Sequence, residues 1–358
     1  MNATLPASPA PTTPVQALHG HTMGTTWSVR FHARMRTDLH TLHDAVQARL
    51  HRVVAEMSTW EPDSDISRFN RADAGTWFVL PEGFAVVLAA ALDVAARSEG
   101  AFDPTISPLV AAWGFGAHAH ARGRPSDAAL AQARERVGWK HLSFDPAAAR
   151  VLQRGGITLD LSAIAKGYGV DVVVALLRQR GIDGALVEVG GELYGYGRKP
   201  DGQPWRVLVE SSPDEEADSE DLAPRVLRLD GVAVATSGDR WHAYEHEGTR
   251  YSHTIDPRTG VPVHDVAAAV TVVADTAMQA DAWATALTVM GTQAGHAHAS
   301  ALGLAARFLE RTPDGLVERA TAAFERHLDA CVRCRLDPLS AHAWAMRSCW
   351  RCSLLSPY

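Results

Sequence analysis

Two distant segments carry side chains suited to phosphate or metal chemistry. Residues 160–168 read Asp-Leu-Ser-Ala-Ile-Ala-Lys-Gly-Tyr, which places a carboxylate, a hydroxyl and an ammonium at a predicted strand-to-helix junction. Downstream, Asp281 and Thr285 are four residues apart in a predicted helix, so their oxygen atoms share one helix face. Mg²⁺ prefers oxygen ligands, and helix N-termini bind phosphate groups. Together the two segments predict a site for Mg²⁺ and a phosphate.

Each segment also has a structural alternative. Asp281 could interact favourably with the dipole of its helix, and Thr285 could fill core space. Asp160 and Ser162 could act as helix caps. Capping does not explain Lys166, whose positive charge near a helix N-terminus opposes the helix dipole. A bound anion nearby would explain it.

A third segment contains a titratable histidine. His253 lies just before the turn-forming sequence Pro257-Arg258-Thr259-Gly260, and histidine is the usual general base near neutral pH. The chain has 17 histidines, so a surface or packing role remains the alternative for this one. Aromatic and polar residues also alternate in the loops at 57–70 and 101–116. Those loops could enclose a flat ring system or could simply pack.

Composition narrows the class of protein. The 358 residues include 34 Lys and Arg against 41 Asp and Glu, a net charge of −7, which argues against nucleic acid as a partner. No apolar run approaches the roughly 20 residues that a membrane-spanning helix needs, so no transmembrane segment is expected. Residues 1–18 are rich in Pro, Ala and Thr and are predicted to be a disordered leader. As written, the sequence predicts a cytoplasmic protein; the alternative is a periplasmic or inner-membrane lipoprotein whose N-terminal signal is missing from this sequence.

The order of predicted elements favours an α+β fold. Apolar residues spaced three and four apart predict a helix from Leu39 to Met57, and further helices are expected at 82–97, 164–180 and 278–290. Strands are expected at 157–161, 185–196 (interrupted by two glycines), 205–210, 225–229, 232–236, 266–273, 306–310 and 317–319. A regular strand-helix-strand alternation is missing, which disfavours a doubly wound sheet. The acidic run at 214–221 is predicted to be a solvated loop.

Taken in order, the motifs resemble those of the ApbE family, the FAD:protein FMN transferases. The resemblance spans roughly residues 20 to 327. It is carried by Met23-Gly24-Thr25, Met57-Ser58-Thr59-Trp60, Ser67-Arg68-Phe69-Asn70, Phe102-Asp103-Pro104-Thr105, Trp113-Gly114-Phe115-Gly116, residues 160–168, Val187-Glu188-Val189-Gly190-Gly191-Glu192, Thr236-Ser237-Gly238-Asp239, residues 251–260 and residues 280–285.

The resemblance implies both a fold and an activity. The fold would be ApbE-like (T-fold-like), with mixed sheets packed with helices in a single large two-lobed domain at residues 19–328. The activity would be Mg²⁺-dependent transfer of FMN from FAD to a Thr or Ser hydroxyl of a target protein, releasing AMP. The acceptor would be a flavoprotein, a redox-enzyme subunit or domain with an exposed Thr or Ser. The alternatives are an FAD pyrophosphatase that gives FMN and AMP, and a flavin-binding carrier without turnover.

The resemblance also assigns roles to individual residues. The Ala163 carbonyl, Asp281 and Thr285 would hold Mg²⁺, and His253 would be the base that deprotonates the acceptor hydroxyl, with Lys166 and Asp281 as its catalytic partners. The FAD site would be lined by Met23, Trp60, Ala101, Phe102, Asp103, Asp160, Lys166, Thr254 and Ile255.

The C-terminal 28 residues lie outside the resemblance. They contain all four cysteines, Cys331, Cys334, Cys349 and Cys352, in a spacing close to that of a four-thiolate zinc ribbon. Residues 329–358 are therefore predicted to be a Cys-rich tail that binds Zn²⁺. A disordered extension with incidental cysteines is the alternative.

Overall fold

The structure is a computed structural model that describes residues 14–33, 37–119, 123–209, 225–238, 243–246, 249–263, 268–312 and 315–329. Within these ranges the helices are α1 (Leu39–Met57), α2 (Asp65–Asn70), α3 (Glu82–Arg97), α4 (Ser107–Ala112), α5 (Asp127–Arg134), α6 (Ala165–Gln179), α7 (Ala277–Met290), α8 (Thr292–Leu302) and α9 (Ala322–Glu325).

Strands occur along the whole length of the described chain. They are β1 (Gln16–Thr22), β2 (Thr25–His32), β3 (Thr76–Val79), β4 (Ser143–Asp145), β5 (Arg150–Gln153), β6 (Gly184–Val189), β7 (Glu192–Tyr196), β8 (Trp205–Val209), β9 (Arg225–Leu229), β10 (Val232–Gly238), β11 (Ala243–His246), β12 (Thr249–Ser252), β13 (Ile255–Asp256), β14 (Val261–Pro262), β15 (Ala269–Ala274), β16 (Ala305–Thr312) and β17 (Gly315–Ala320).

An eight-stranded sheet organises the molecule. Its order is β1-β2-β6-β7-β10-β15-β16-β17, and each neighbouring pair is antiparallel. Successive side chains of a strand point to opposite faces, so both faces can bury apolar residues here. Helices are inserted between antiparallel strands without parallel crossovers, which confirms the predicted α+β class.

Helices cover one face of this sheet. Val170 and Val173 of α6 lie in one buried cluster with Val29 of β2 and Val187 of β6. Beside it, α3 and α7 contribute to a second cluster that includes Trp283. The opposite face is covered by the β8–β9 hairpin and α9, whose apolar residues pack on β10, β15 and β16. The helices α6 and α7 therefore lie between the sheet and the outer helices, where their N-terminal turns are held rigidly.

Sequence periodicity located the long helices well. The bounds predicted for α3 are those observed, and the apolar positions that predicted α1 all lie within it, because each helix has a continuous apolar face. Asp38 caps α1 by accepting a hydrogen bond from the His40 N–H at 3.0 Å. None of the helices in the described ranges has the length and apolarity to cross a bilayer.

Three expectations were wrong in detail. The leader was predicted to reach residue 18, but β1 begins at Gln16 and pairs along β2. The predicted strand at 157–161 is an extended segment outside the sheets: Leu159 N–H donates to Asn70 Oδ1 at 2.7 Å and Asp160 N–H to the Pro104 carbonyl at 2.8 Å. The interrupted strand at 185–196 is a hairpin, since β6 and β7 pair antiparallel across Gly190-Gly191. The acidic run at 214–221 lies outside the described residues.

Candidate functional site

The site is built where α6 and α7 approach most closely. A Cβ on Gly167 would lie 2.2 Å from the Ala277 carbonyl oxygen, so only glycine allows this contact. One turn further along α6, the Asp171 carboxylate accepts the N–H groups of Ala277 at 2.8 Å and Met278 at 2.9 Å. Those N–H groups have no partner within their own helix. Asp171 therefore caps α7 from the neighbouring helix and fixes the antiparallel register of the pair.

Asp281 caps α6 in return. Its Oδ2 accepts the Gly167 N–H at 3.0 Å, one of the N–H groups at the helix start that have no acceptor within the helix. Asp281 is buried and Thr285 is half-buried. Of the three predicted metal ligands, Asp281 is tied to the start of α6 by this bond, and the joint role of Ala163, Asp281 and Thr285 in holding Mg²⁺ stays a prediction.

Lys166, in the first turn of α6, forms ion pairs with residues of β7 and α7. Its ammonium forms an ion pair with Glu192, and its Nζ lies 3.7 Å from Asp281 Oδ1. The side chains of Glu192 and Asp281 are only 4 % and 7 % exposed, against 32 % for Lys166. The three residues Lys166, Glu192 and Asp281 are called the acidic cluster, because two buried carboxylates share one ammonium.

Burial and charge act in opposite directions in the acidic cluster. Burial raises the pKa of Asp281 and of Glu192, although Lys166 opposes both shifts. Burial alone would lower the pKa of Lys166, but Asp281 and Glu192 raise it above its ordinary value. Two ionised carboxylates beside one ammonium would leave one negative charge in excess, and the raised carboxyl pKa values show that burial disfavours this fully ionised state. A cation bound there would offset that excess.

The β1–β2 turn closes over the start of α6. Met23 adopts a φ of +49°, and its Cε would lie 3.2 Å from a Cβ on Gly169. A Cβ on Gly190 would lie 2.8 Å from Thr25 Cγ2 and 3.3 Å from Lys166 Cδ. The turn, the glycine pair and the lysine stem are thus in close contact, and Met23 packs on α6; its role in lining the FAD site stays a prediction.

The 101–105 loop approaches through its backbone. The side chains of Ala101 and Phe102 are buried, and Phe102 belongs to the core. Both oxygens of Asp103 are engaged, Oδ1 by Thr105 and Oδ2 by the Trp139 N–H at 3.0 Å. Burial nevertheless raises the pKa of Asp103. The side chains of the loop are thus occupied within the protein, and its role in the FAD site stays a prediction.

Asp160 lies between this loop and α6. Its main chain is tied to the Pro104 carbonyl, and its Oδ1 accepts the Ser162 N–H at 2.8 Å. The latter bond closes a local turn before the helix. The N-cap of α6 is Ile164, without a side-chain hydrogen bond, so the alternative that Asp160 and Ser162 cap this helix was wrong, and the role of Asp160 in binding FAD stays a prediction.

His253 lies between β12 and β13 and is half-buried. Beyond it, Ile255 packs with Leu109 and Trp113 in a small separate core, and Thr254 is buried. Trp60 lies in the turn after α1 with 70 % of its surface exposed. The hydrogen bonds and ion pairs described above for the acidic cluster involve other residues, so the roles predicted for His253, Thr254, Ile255 and Trp60 stay predictions.

The part of the chain that the structure describes holds no group of three or more His, Cys, Asp or Glu side chains placed to bind a metal. The predicted Mg²⁺ ligands include a single carboxylate, with a carbonyl and a hydroxyl, so they would not form such a group. The four cysteines proposed to bind Zn²⁺ lie outside the described residues.

Sequence reasoning missed Glu192 and Asp171 as parts of this site. Glu192 was noted only within the Gly-Gly-Glu motif, and Asp171 was not singled out. A buried acidic residue directly after a glycine pair was the available signal for Glu192. For Asp171 the signal is weaker, since an aspartate inside an apolar helix face becomes meaningful only when a second helix terminus meets it.

Comparisons with known proteins agree with this geometry. The model of the ApbE family matches residues 23–308. The FAD:protein FMN transferase of Vibrio cholerae is 37% identical over 321 residues, covering 88% of this chain and 94% of that protein. The enzyme of the same name from Klebsiella pneumoniae is 36% identical over 318 residues, covering 88% and 89%.

Solved structures give the same result. The flavinyl transferase ApbE of Pseudomonas stutzeri, in its apo form, superposes with a TM-score of 0.80 at 39% identity, covering 88% of this chain and 96% of that one. The flavin transferase ApbE of Vibrio cholerae gives 0.80 at 35% identity, covering 88% and 100%. With the family model matched over most of its length, this chain belongs to the ApbE family.

Proposed function

We propose that this protein is an FAD:protein FMN transferase, which moves FMN from FAD to a hydroxyl group of a target protein. The observation that carries the proposal is the acidic cluster at the N-terminus of α6, in a chain 37% identical to an FAD:protein FMN transferase over 321 residues. A fixed ammonium beside an excess of buried negative charge suits a cation and a diphosphate together.

The reaction exchanges the phosphoanhydride bond of FAD for a phosphoester bond to the acceptor. The acceptor oxygen of a Thr or Ser forms a bond to the phosphorus of the FMN half of FAD. The bond from that phosphorus to the bridging oxygen breaks, and AMP leaves with the electron pair. His253 would accept the proton of the acceptor hydroxyl, as the resemblance implies. In such reactions the protein chiefly positions groups and neutralises charge on phosphate oxygens, which is the work proposed for Lys166.

The residues of the site fit a magnesium ion. Asp281, the Ala163 carbonyl and Thr285 would hold it, all through oxygen. When bound, Mg²⁺ would supply positive charge to the phosphate oxygens. The zinc site predicted at the four C-terminal cysteines is a separate proposal, tested by elemental analysis of the purified protein.

FAD would lie between the acidic cluster and the surrounding loops. Met23 packs on α6 at Gly169, and Asp160 lies just before α6 and donates its N–H to the Pro104 carbonyl, which supports the assignment of Met23, Asp160 and the neighbouring 101–103 loop to the FAD site. Trp60 is exposed enough to stack on a ring of the ligand. Thr254 and Ile255 are assigned by the resemblance alone.

One assay separates the proposed function from its alternatives. The protein is incubated with FAD, Mg²⁺ and a candidate acceptor, a flavoprotein subunit or domain with an exposed Thr or Ser, and the products are separated on a denaturing gel. A fluorescent acceptor band with release of AMP is expected. FMN and AMP without labelling would indicate a pyrophosphatase, and unchanged FAD would indicate a carrier.

A further inference from the structure

Glu192 has no part in the residue roles described so far, yet it is the closest partner of Lys166. Its carboxylate is 4 % exposed, and Oε1 accepts a hydrogen bond from Lys166 Nζ. Its other oxygen, Oε2, is buried and has no hydrogen-bond partner in the described part of the chain. A buried carboxylate oxygen without a partner is costly, so its retention calls for a reason.

The turn before Glu192 is built to hold it in place. Glu188 Oε1 accepts the Gly191 N–H at 3.0 Å, and Glu188 Oε2 accepts a hydrogen bond from the Ser28 hydroxyl at 3.2 Å. Gly190 and Gly191 adopt φ values of +59° and +101°, which favour glycine. No atom lies within 4 Å of the position of a Cβ on Gly191, so the turn has open space beside it. Glu192 therefore enters the cluster from a rigid strand end.

The Lys166 ammonium lies closer to the Glu192 carboxylate than to the Asp281 carboxylate. Lys166 is within hydrogen-bond reach of Glu192 but 3.7 Å from Asp281 Oδ1, which is too long for a hydrogen bond. Asp281 instead uses its other oxygen, Oδ2, to cap α6. Without Glu192, the ammonium would close on the Asp281 carboxylate, the one other acidic group that the cluster offers it.

We propose that Glu192 is a positioning residue, which takes the hydrogen bond of the Lys166 ammonium and keeps the ion pair between Lys166 and Asp281 at the longer distance of 3.7 Å. Asp281 Oδ1 then stays available to a divalent cation, and Lys166 stays available to a phosphate oxygen. This inference rests on the proposed function, because it specifies how the same site keeps its cation-binding and anion-binding groups apart.

The test compares three variants with the wild-type protein. In Glu192→Ala the lysine loses its partner; in Glu192→Gln the amide oxygen can still accept a hydrogen bond from Lys166. Glu318→Gln is the matched control, a half-buried glutamate of β17 in two ion pairs that lies four strands from β7 in the sheet, or roughly 19 Å. Binding of Mn²⁺ alone is followed by electron paramagnetic resonance, FAD binding in EDTA by flavin fluorescence, and transfer by kcat and KM for FAD.

We expect Glu192→Ala to weaken Mn²⁺ binding about 10-fold and to lower kcat about 100-fold, the effect of losing one positioned charge-stabilising group. Glu192→Gln should stay within about 10-fold of wild type in kcat, because the position of Lys166 is preserved. Glu318→Gln should lower Tm and leave Mn²⁺ binding and kcat unchanged. In a crystal structure of Glu192→Ala, Lys166 Nζ should lie within hydrogen-bond distance of Asp281 Oδ1.

Two results would overturn the inference. If Glu192→Ala binds Mn²⁺ and FAD as the wild type does and differs only in a lower Tm, Glu192 is merely structural. If Glu192→Gln is as impaired as Glu192→Ala, the charge of Glu192 matters and its positioning of Lys166 does not. Failure of the wild-type protein to label any acceptor would count against the proposed function instead, while the Mn²⁺ and FAD measurements would still judge Glu192.

Discussion

Two buried clusters of charged side chains differ in the sign of their imbalance. The acidic cluster has two carboxylates and one ammonium. On the other side of the molecule, Glu318 accepts hydrogen bonds from Arg225 Nε at 3.0 Å and from Arg307 Nε at 2.6 Å, so one carboxylate serves two guanidinium groups. Arg225, Arg307 and Glu318 are called the arginine cluster.

The acidic cluster and the arginine cluster lie in different structural surroundings. The arginine cluster ties β9 to β16 and β17, and Arg307 is 1 % exposed with a pKa lowered by burial. Its Nη1 and Nη2 have no hydrogen-bond partner among the described residues. It lies within a sheet and its covering hairpin. The acidic cluster lies at a helix N-terminus under two glycine-containing turns, where a ligand can enter. Excess buried charge therefore indicates a site only where the surrounding backbone leaves room and adds a complementary field.

Replacing Asp281 should give the largest effect on activity. Asp281→Asn keeps an oxygen that can cap α6 but removes a negative charge from the predicted metal site. We expect kcat/KM for FMN transfer to fall about 1,000-fold, or about 4 kcal/mol of transition-state stabilisation. Labelling of the acceptor with time measures this directly. Near-normal labelling would refute the metal assignment and remove the functional difference between the two clusters.

Replacing Glu318 should affect stability instead. Glu318→Gln leaves two guanidinium groups near each other without a compensating charge, and breaking such a buried pair costs about 3 kcal/mol. Urea unfolding measures the loss, and transfer by the remaining folded protein should be unchanged. A specific loss of kcat in fully folded Glu318→Gln would show that the arginine cluster contributes to the reaction.

A third prediction concerns the helix contact that positions the acidic cluster. Gly167→Ala would place a methyl group 2.2 Å from the Ala277 carbonyl oxygen, so α6 and α7 must separate. Overpacking of this kind costs about 2–3 kcal/mol, and displacement of Asp281 should lower kcat as well. Urea unfolding and the labelling assay measure both effects.

Gly169→Ala is the matched control on the same helix. Its new methyl group would meet only flexible ends of Met23 and Leu50, at 3.2 and 3.3 Å, and alanine favours a helix over glycine by about 1 kcal/mol. If Gly167→Ala and Gly169→Ala lose stability and kcat equally, this face of α6 tolerates no added methyl group. The prediction that the contact of Gly167 is specific would then be wrong.

The sequence predicted the long helices and the two segments that carry Lys166 and Asp281. It did not predict the contacts that other residues make with these two. Apolar spacing located α1 and α3, and the family resemblance brought Lys166 and Asp281 together across more than 100 residues of chain. The strand expected at 157–161 was wrong because alternating apolar residues report burial and not the hydrogen-bond partner, which here is a side chain of α2 and a loop carbonyl.

Glu192 and Asp171 could not be found in that way. Their roles come from contacts between the β6–β7 turn and α6, and between α6 and the start of α7. Such contacts depend on the register of packed elements, and a single sequence with periodic apolar residues does not specify that register.

The smallest predicted effect is a pH dependence of stability from Asp171. Burial raises the pKa of Asp171 to about 6 from 3.8, although two N–H groups of α7 oppose the shift. The folded protein therefore binds the proton more tightly than the unfolded chain does, and this group's contribution to stability falls as pH rises from about 4 to 6. With about 1.4 kcal/mol for each pKa unit, the change is on the order of 2 kcal/mol.

Asp171→Asn isolates that contribution. The variant loses one of the two caps on α7 at every pH, but its free energy of unfolding should lack the decline that Asp171 causes between pH 4 and 6. The difference between wild type and variant, measured by urea unfolding at pH 4.5 and pH 7, should therefore shift in favour of the variant at the higher pH. A constant difference would mean that Asp171 is ionised throughout this range. The carboxylate that caps α7 would then be negatively charged at every pH tested. Asp171 would add its negative charge to that of Asp281 and Glu192 beside α6.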